Sequence, residues 1–204
     1  MKLYPIHAGN FKLDGGAMFG VVPKLIWNKT NPADANNLCT WAMRCLLIED
    51  GGKLILVDNG IGDKQDAKFF SHYYLHGEGS LEDSLKQYGF RKEDITDVFL
   101  THLHFDHCGG SIVRSGGQLI PAFPNANYWS NEKHWLWATE PNDRERASFL
   151  KENILPIKDS GRLNFIGVPE AAQKDRLPEA DFLPGMGIRF VNGHTDAMML
   201  PQIK

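Results

Sequence analysis

The sequence predicts an α+β protein folded as one domain over residues 1–204, and three observations carry that expectation. Short apolar runs bounded by Gly, Pro, Asn and Asp mark strands, while capped stretches with helical apolar spacing mark helices between them. A length of 204 residues is enough to bury one sizeable core. The net charge of −3, with 42% hydrophobic and 23% charged residues, gives no electrostatic footprint for nucleic acid and no Lys/Arg block for an anionic membrane. No apolar run reaches the roughly 18 residues that would suggest a spanning helix, and Met1 to His7 lack the apolar core of a secretion signal. Cys39, Cys45 and Cys108 form no even, closely spaced framework. Together these features place the chain in the cytoplasm.

Lys2 to Ala8 opens the chain as a strand, and Gly15-Gly16 turns it into a second short strand over Met18 to Val22, which Pro23 ends. Asn28 to Asn37 is a polar loop. Leu38 to Glu49 is apolar and aromatic enough for a mostly buried strand, and Asp50-Gly51-Gly52 turns it into Lys53 to Asp58. Asp63 to Gly79 is long, polar and irregular; its His72 and His76 lack a third ligand at useful spacing and read as surface or rim residues. Ser80 to Gly89 is a helix, with Ser80 as N-cap, Asp83 at the third position and apolar residues at 81, 85 and 88. Ile95 to Leu100 follows as a strand. Ser111 to Phe123 is a loop or hairpin around Gly116-Gly117, and Pro124 to Trp129 a short strand. A helix starts at Ser130 and contains His134, which has no ligand-spaced partner and reads as an ordinary packed histidine. Asp143 to Ile154 is a second helical stretch. Leu163 to Val168 and Gly187 to Asn192 are strands separated by a polar connection, and Met198 to Ile203 begins another.

The chemistry concentrates just after the apolar run Asp97-Val98-Phe99-Leu100. Three of the eight histidines and a carboxylate fall within the six residues His102 to His107, and Gly109-Gly110 then changes the chain's direction. In an extended or loosely turning backbone His102 and His104 project to one side, with Asp106 and His107 where strand gives way to turn. Two imidazoles and a carboxylate at a strand end are what borderline divalent metals such as zinc bind. Cys108 reads as a small buried thiol beneath that turn. Asp58 closes another strand. A carboxylate there can cap the amides of Asn59 and Gly60, or it can orient a metal-bound imidazole from behind; the nearby cluster favours the second. His194 follows Gly193 after a later strand, and beside a site with two imidazoles it reads as the third neutral nitrogen.

Thr101-His102-Leu103-His104-Phe105-Asp106-His107, with Gly193-His194-Thr195 downstream, resembles the metallo-β-lactamase-fold hydrolases. Asp14 to Lys24 and Asp58-Asn59-Gly60-Ile61-Gly62 are similar, more narrowly, to the branch holding the quorum-quenching N-acyl-homoserine lactonases. That resemblance implies a four-layer αββα sandwich with a dinuclear site at one edge. It implies one ion held by His102, His104 and His194, and a second by Asp106 and His107 with Asp58 behind them. The cofactors would be two divalent ions, zinc first, with iron or manganese as alternatives. The reaction would be the opening of a lactone of the N-acyl-homoserine lactone type, or of a related ester, by attack of a metal-bound hydroxide. The oxyanion would be stabilised electrostatically, with Asp106 as ligand and proton shuttle.

A small lactone or ester is therefore the expected partner, and the residues leave the oligomeric state open, a dimer included. Met18, Phe19, Phe69, Tyr73 and Tyr74 are candidates for an acyl-chain wall, with ordinary packing as the competing reading. Family members usually carry a bridging aspartate and a further histidine after the Gly-His-Thr motif. The residues from Asp196 to Lys204 offer no candidate on a later strand, so the chain reads as C-terminally short. The alternatives are thioester or organophosphate hydrolysis on the same site, or a shortened relative that binds metal without turnover. A Ser/His/Asp hydrolase is not expected, because no Gly-x-Ser-x-Gly elbow occurs.

Overall fold

The strongest apolar runs of the chain place consecutive side chains on opposite sides of one sheet. A computed structural model, which describes residues 1–170 and 177–204, shows how. Strands β1 (Lys2–Asp14), β2 (Leu38–Asp50), β3 (Lys53–Val57), β4 (Asp97–Phe99), β7 (Asn127–Ser130) and β8 (Leu163–Phe165) form a six-stranded sheet in that order. The pairs from β1 to β3 are antiparallel and those from β3 to β8 parallel. Between β4 and β7 lies the hairpin of β5 (Ile112–Ser115) and β6 (Gln118–Pro121). A second, antiparallel sheet has the order β11 (Met198–Ile203), β10 (Met186–Val191), β9 (Glu179–Leu183).

Period-two alternation builds both cores. On one face Leu47, Leu56, Val98 and Tyr128 pack with Leu85 of α4 (Leu81–Gln87), Trp135 of α6 (Glu132–Thr139) and Ile154 and Ile157 of α7 (Lys151–Asp159). On the other face their sequence neighbours Ile48, Ile55, Val57 and Phe99 meet Met186, Ile188, Phe190 and Met199 of the second sheet. Helices, large sheet and small sheet thus form successive layers. Arg189, Leu200 and Gln202 stand exposed on the small sheet's far face. Among the described residues no helix is long and apolar enough to cross a membrane.

Three expectations need correction. Met18 to Val22 is not a strand: the Asp14 carboxylate accepts from the Gly16 amide at 2.6 Å and starts α1 (Gly15–Phe19), and α2 (Lys24–Trp27) follows. Phe19 then stacks on Trp27, with ring centroids 5.0 Å apart. A local cap and an aromatic stack override strand propensity here. The helix expected over 143–154 begins later. A 3₁₀ turn covers Arg146–Ser148, Phe149 and Leu150 are extended, and α7 runs on to Asp159 with Pro156 inside it. The polar connection before Gly187 hides β9, in which Ala180 and Phe182 face inward between Glu179 and Asp181. Phe182 packs edge-on against Phe99 at 5.3 Å and Trp129 at 5.2 Å. Residues 171–176 of that connection lie outside the described residues.

Candidate metal centre

The site forms where parallel strands β3 and β4 end side by side, since Val57 pairs with Phe99 and the Asp58 amide donates to the Phe99 carbonyl at 2.9 Å. Asp58 adopts φ of 56°, a left-handed conformation that short polar side chains tolerate. Its carboxylate accepts from the Thr101 amide and the Thr101 hydroxyl, each at 2.8 Å, and from Nδ1 of His107 at 2.8 Å. The loop after β3 presses on the loop after β4. A Cβ at Gly109 would overlap the carbonyl of Ile61, and one at Gly110 that of Asn59, so glycine is required at both for the loops to meet. Asp106 and His107 sit on the short helix α5 (Phe105–Cys108) rather than in an open turn.

Hydrogen bonding selects which nitrogen each histidine presents. The Thr101 hydroxyl gives its proton to Asp58, so it accepts from Nδ1 of His102, 2.9 Å away. That leaves Nε2 of His102 buried with no hydrogen-bond partner among the described residues. Nδ1 of His104 lies 3.1 Å from Nε2 of His194, while Nε2 of His104 is also buried and unpartnered. One nitrogen from each of His102, His104 and His194 lies within 4.8 Å of the other two. The ring of His107 is 4.0 Å from that of His102, and its Nε2 stands 3.6 Å from an Asp106 carboxylate oxygen.

The trio is held uncharged. Burial and the neighbouring imidazoles keep His102 well below the ordinary histidine range, lower His104 to about 3, and lower His194 as well. His107 goes the other way. Burial pulls it down, but the charge and hydrogen bond of Asp58, helped by Asp106, raise it to about 9. Three neutral nitrogens converging on one point, one of them an orphaned buried acceptor, are a donor set suited to a borderline cation.

His134 is not part of that set. Its Nε2 accepts from the Leu103 amide at 2.9 Å and its Nδ1 donates to the Asp196 carbonyl at 2.6 Å, so it struts the two histidine-bearing segments. The Cys108 thiol donates to the Leu103 carbonyl and is fully buried, which pushes its pKa up to about 12. His72 and His76 are exposed. Met18 reaches a cavity of about 160 Å³, lined also by Phe11, Trp41, Met43, Asp106 and His107. Phe69 and Tyr73 pack on Phe105 at 5.7 and 4.7 Å. Phe19 stacks on Trp27, behind Trp41, and Tyr74 is 54% exposed. The sequence did not point to Glu145. It is buried, and its Oε2 accepts from the Trp137 indole at 3.0 Å and stands 3.7 Å from Nε2 of His104. It lies in a charged stretch with no ligand spacing, so no signal in the chain could have found it.

Two facing sheets with imidazoles gathered at the ends of their strands define a fold built around a candidate metal centre. The chain belongs to the metallo-beta-lactamase superfamily, whose description matches residues 44–195. It is 26% identical over 206 residues to an N-acyl homoserine lactonase of Bacillus cereus, covering 95% of this chain and 66% of that protein. This chain thus spans just under two thirds of the length of that relative. Among solved structures, a probable metal-dependent hydrolase from Staphylococcus aureus superposes with a TM-score of 0.85 at 27% identity, over 100% of this chain and 68% of that one. The dizinc quorum-quenching lactonase AidC, in complex with a product, shares the fold at a TM-score of 0.70 and 22% identity, over 99% of this chain and 67% of that one.

Proposed function

We propose that this chain carries the metal-binding part of a hydrolase that opens lactones of the N-acyl-homoserine lactone class, or closely related esters. The observation that supports it most is the approach of His102, His104 and His194, from two segments of the chain, to within 4.8 Å of one another. These three would hold one divalent ion. Asp106 and the Nε2 of His107 would contribute to a second, with Asp58 fixing the His107 ring through Nδ1. We take zinc as the ion, because neutral imidazoles with a carboxylate suit it. Bound there, divalent ions lower the pKa of water towards neutrality and polarise a carbonyl oxygen.

The remaining work falls to the chain. Asp106 lines the cavity and is placed to carry a proton to the leaving oxygen. Burial, and after it the charge of Asp106, raises the pKa of the Tyr73 phenol. Phe11, Met18, Trp41 and Met43 give the cavity an apolar wall suited to an acyl chain and to excluding water. Phe69 and Tyr73 extend that wall through Phe105, and Phe19 supports it from behind Trp41. The relatives named as lactonases support this substrate class. The free cysteines Cys39, Cys45 and Cys108 suit a reducing compartment such as the cytoplasm.

Metal analysis with a lactone-hydrolysis assay tests the proposal, comparing acyl-homoserine lactones with a thioester and a phosphotriester. The expected result is bound zinc and chelator-sensitive ring opening that exceeds turnover of the other two. A protein that retains no metal, or that hydrolyses the thioester or phosphotriester better, would overturn it.

A further inference from the structure

The geometry points to Glu145 as a positioning residue for this centre: its carboxylate accepts a hydrogen bond from Nε2–H of His104 and thereby presents Nδ1 to the ion. The inference rests on the metal-binding reading above and adds a residue to it. An imidazole that ligates through one nitrogen carries its proton on the other, and that N–H needs an acceptor. In His104 the nitrogen facing the trio is Nδ1, 3.1 Å from Nε2 of His194. Its Nε2 is buried without a hydrogen-bond partner, and the carboxylate it faces is that of Glu145, 3.7 Å away.

Glu145 is prepared for the role. It is 8% exposed, and its Oε2 already accepts from Nε1 of Trp137 at 3.0 Å. One donor is too few for a buried carboxylate, and the His104 N–H is the natural second. The residue is held in place from its own backbone, because the Glu145 amide donates to the Asn142 side chain at 3.0 Å. Phe149, four residues on, packs its ring 4.7 Å from that of His104 and limits the ring's swing. A separation of 3.7 Å is longer than a hydrogen bond. Contacts of this kind tighten when a site is loaded, and a shift of under about 1 Å closes this one to the usual distance. His102 and His107 already have their outer nitrogens served, by Thr101 and Asp58. Glu145 completes the pattern for His104.

Long-range proton–nitrogen correlation spectra of the zinc-loaded chain test this directly. The expected result is Nδ1 coordination by His104 with a slowly exchanging Nε2–H; coordination through Nε2 would overturn the assignment. Glu145→Leu should weaken zinc binding about 10- to 100-fold and change the visible spectrum of the cobalt form. Glu145→Gln, which keeps an acceptor oxygen, should recover part of the loss. Unchanged affinity and spectrum in Glu145→Leu would also overturn it, and if that variant does not fold, the wild-type spectrum decides alone. His104→Ala separates the two readings. If it still binds zinc like wild type, the metal-centre reading has failed; if it loses zinc while a folded Glu145→Leu keeps it, only Glu145 has been misassigned.

Discussion

His104, at the N-cap of α5, and His107, within that helix, stand three positions apart, yet they are prepared in opposite ways. Burial among other imidazoles leaves His104 uncharged down to about pH 3, whereas Asp58 and Asp106 keep His107 charged up to about pH 9. The difference lies in the charge around each ring: imidazoles crowd the buried His104, while the Asp58 carboxylate hydrogen-bonds directly to Nδ1 of His107. His102, His104 and His194 form a neutral trio that can accept an ion without first releasing a proton. His107 must give one up. Under the proposed assignment, metal loading at the trio and at His107 is therefore expected to differ in pH dependence, the trio first.

The largest effect should come from breaking the trio. His104→Ala removes one of three converging nitrogens, and we expect metal affinity to fall by more than about 100-fold, beyond the span usual for outer partners. Equilibrium competition with a chelator measures it, and binding within about 10-fold of wild type would contradict the comparison. A smaller and more selective effect is expected from Asp58→Asn. It keeps the size of the side chain and one acceptor oxygen but removes the charge that sustains His107. Occupancy of the Asp106 and His107 position should drop about 10- to 100-fold, while the first equivalent stays bound. Titration by calorimetry would show this as loss of one phase only.

The smallest effect is a pair of slopes in the stability of the metal-free chain. For His104 the unfolded chain binds more protons between about pH 6.5 and 3, so stability is lost as pH falls through that window. For His107 the folded chain binds more protons between about pH 6.5 and 9, so its contribution is present below that range and is lost as pH rises through it. Denaturant unfolding across pH should show both limbs, and Asp58→Asn should flatten only the alkaline one.

How much of this could be read in the chain depends on distance along it. The convergence of the three imidazoles was legible because His102 and His104 share a strand-end spacing and His194 repeats the arrangement after β10. Asp58 was legible for the same reason, as a carboxylate ending an apolar run. The inner strands β3 and β4 of the large sheet were legible because both of their faces are buried, which writes unbroken apolar runs. Where local contacts compete, the reading failed. Asp14 and the Phe19–Trp27 stack turn a β-prone stretch into α1, and β9 is short, half-exposed and flanked by prolines. Thr101 and Glu145 act through groups that meet only after folding, Thr101 on the strand-end carboxylate 43 positions earlier. No spacing rule marks such partners.

The Met199 amide donates to the carbonyl of Thr101 at 2.8 Å, the same residue whose amide and hydroxyl Asp58 holds. The small sheet is thereby fastened to the large one, and His194 lies in the connection between β10 and β11. An ion shared by His102, His104 and His194 would act as a rivet between layers, so its loss should be felt as loosening of β10 and β11. Amide exchange along those two strands would then report occupancy of the pocket.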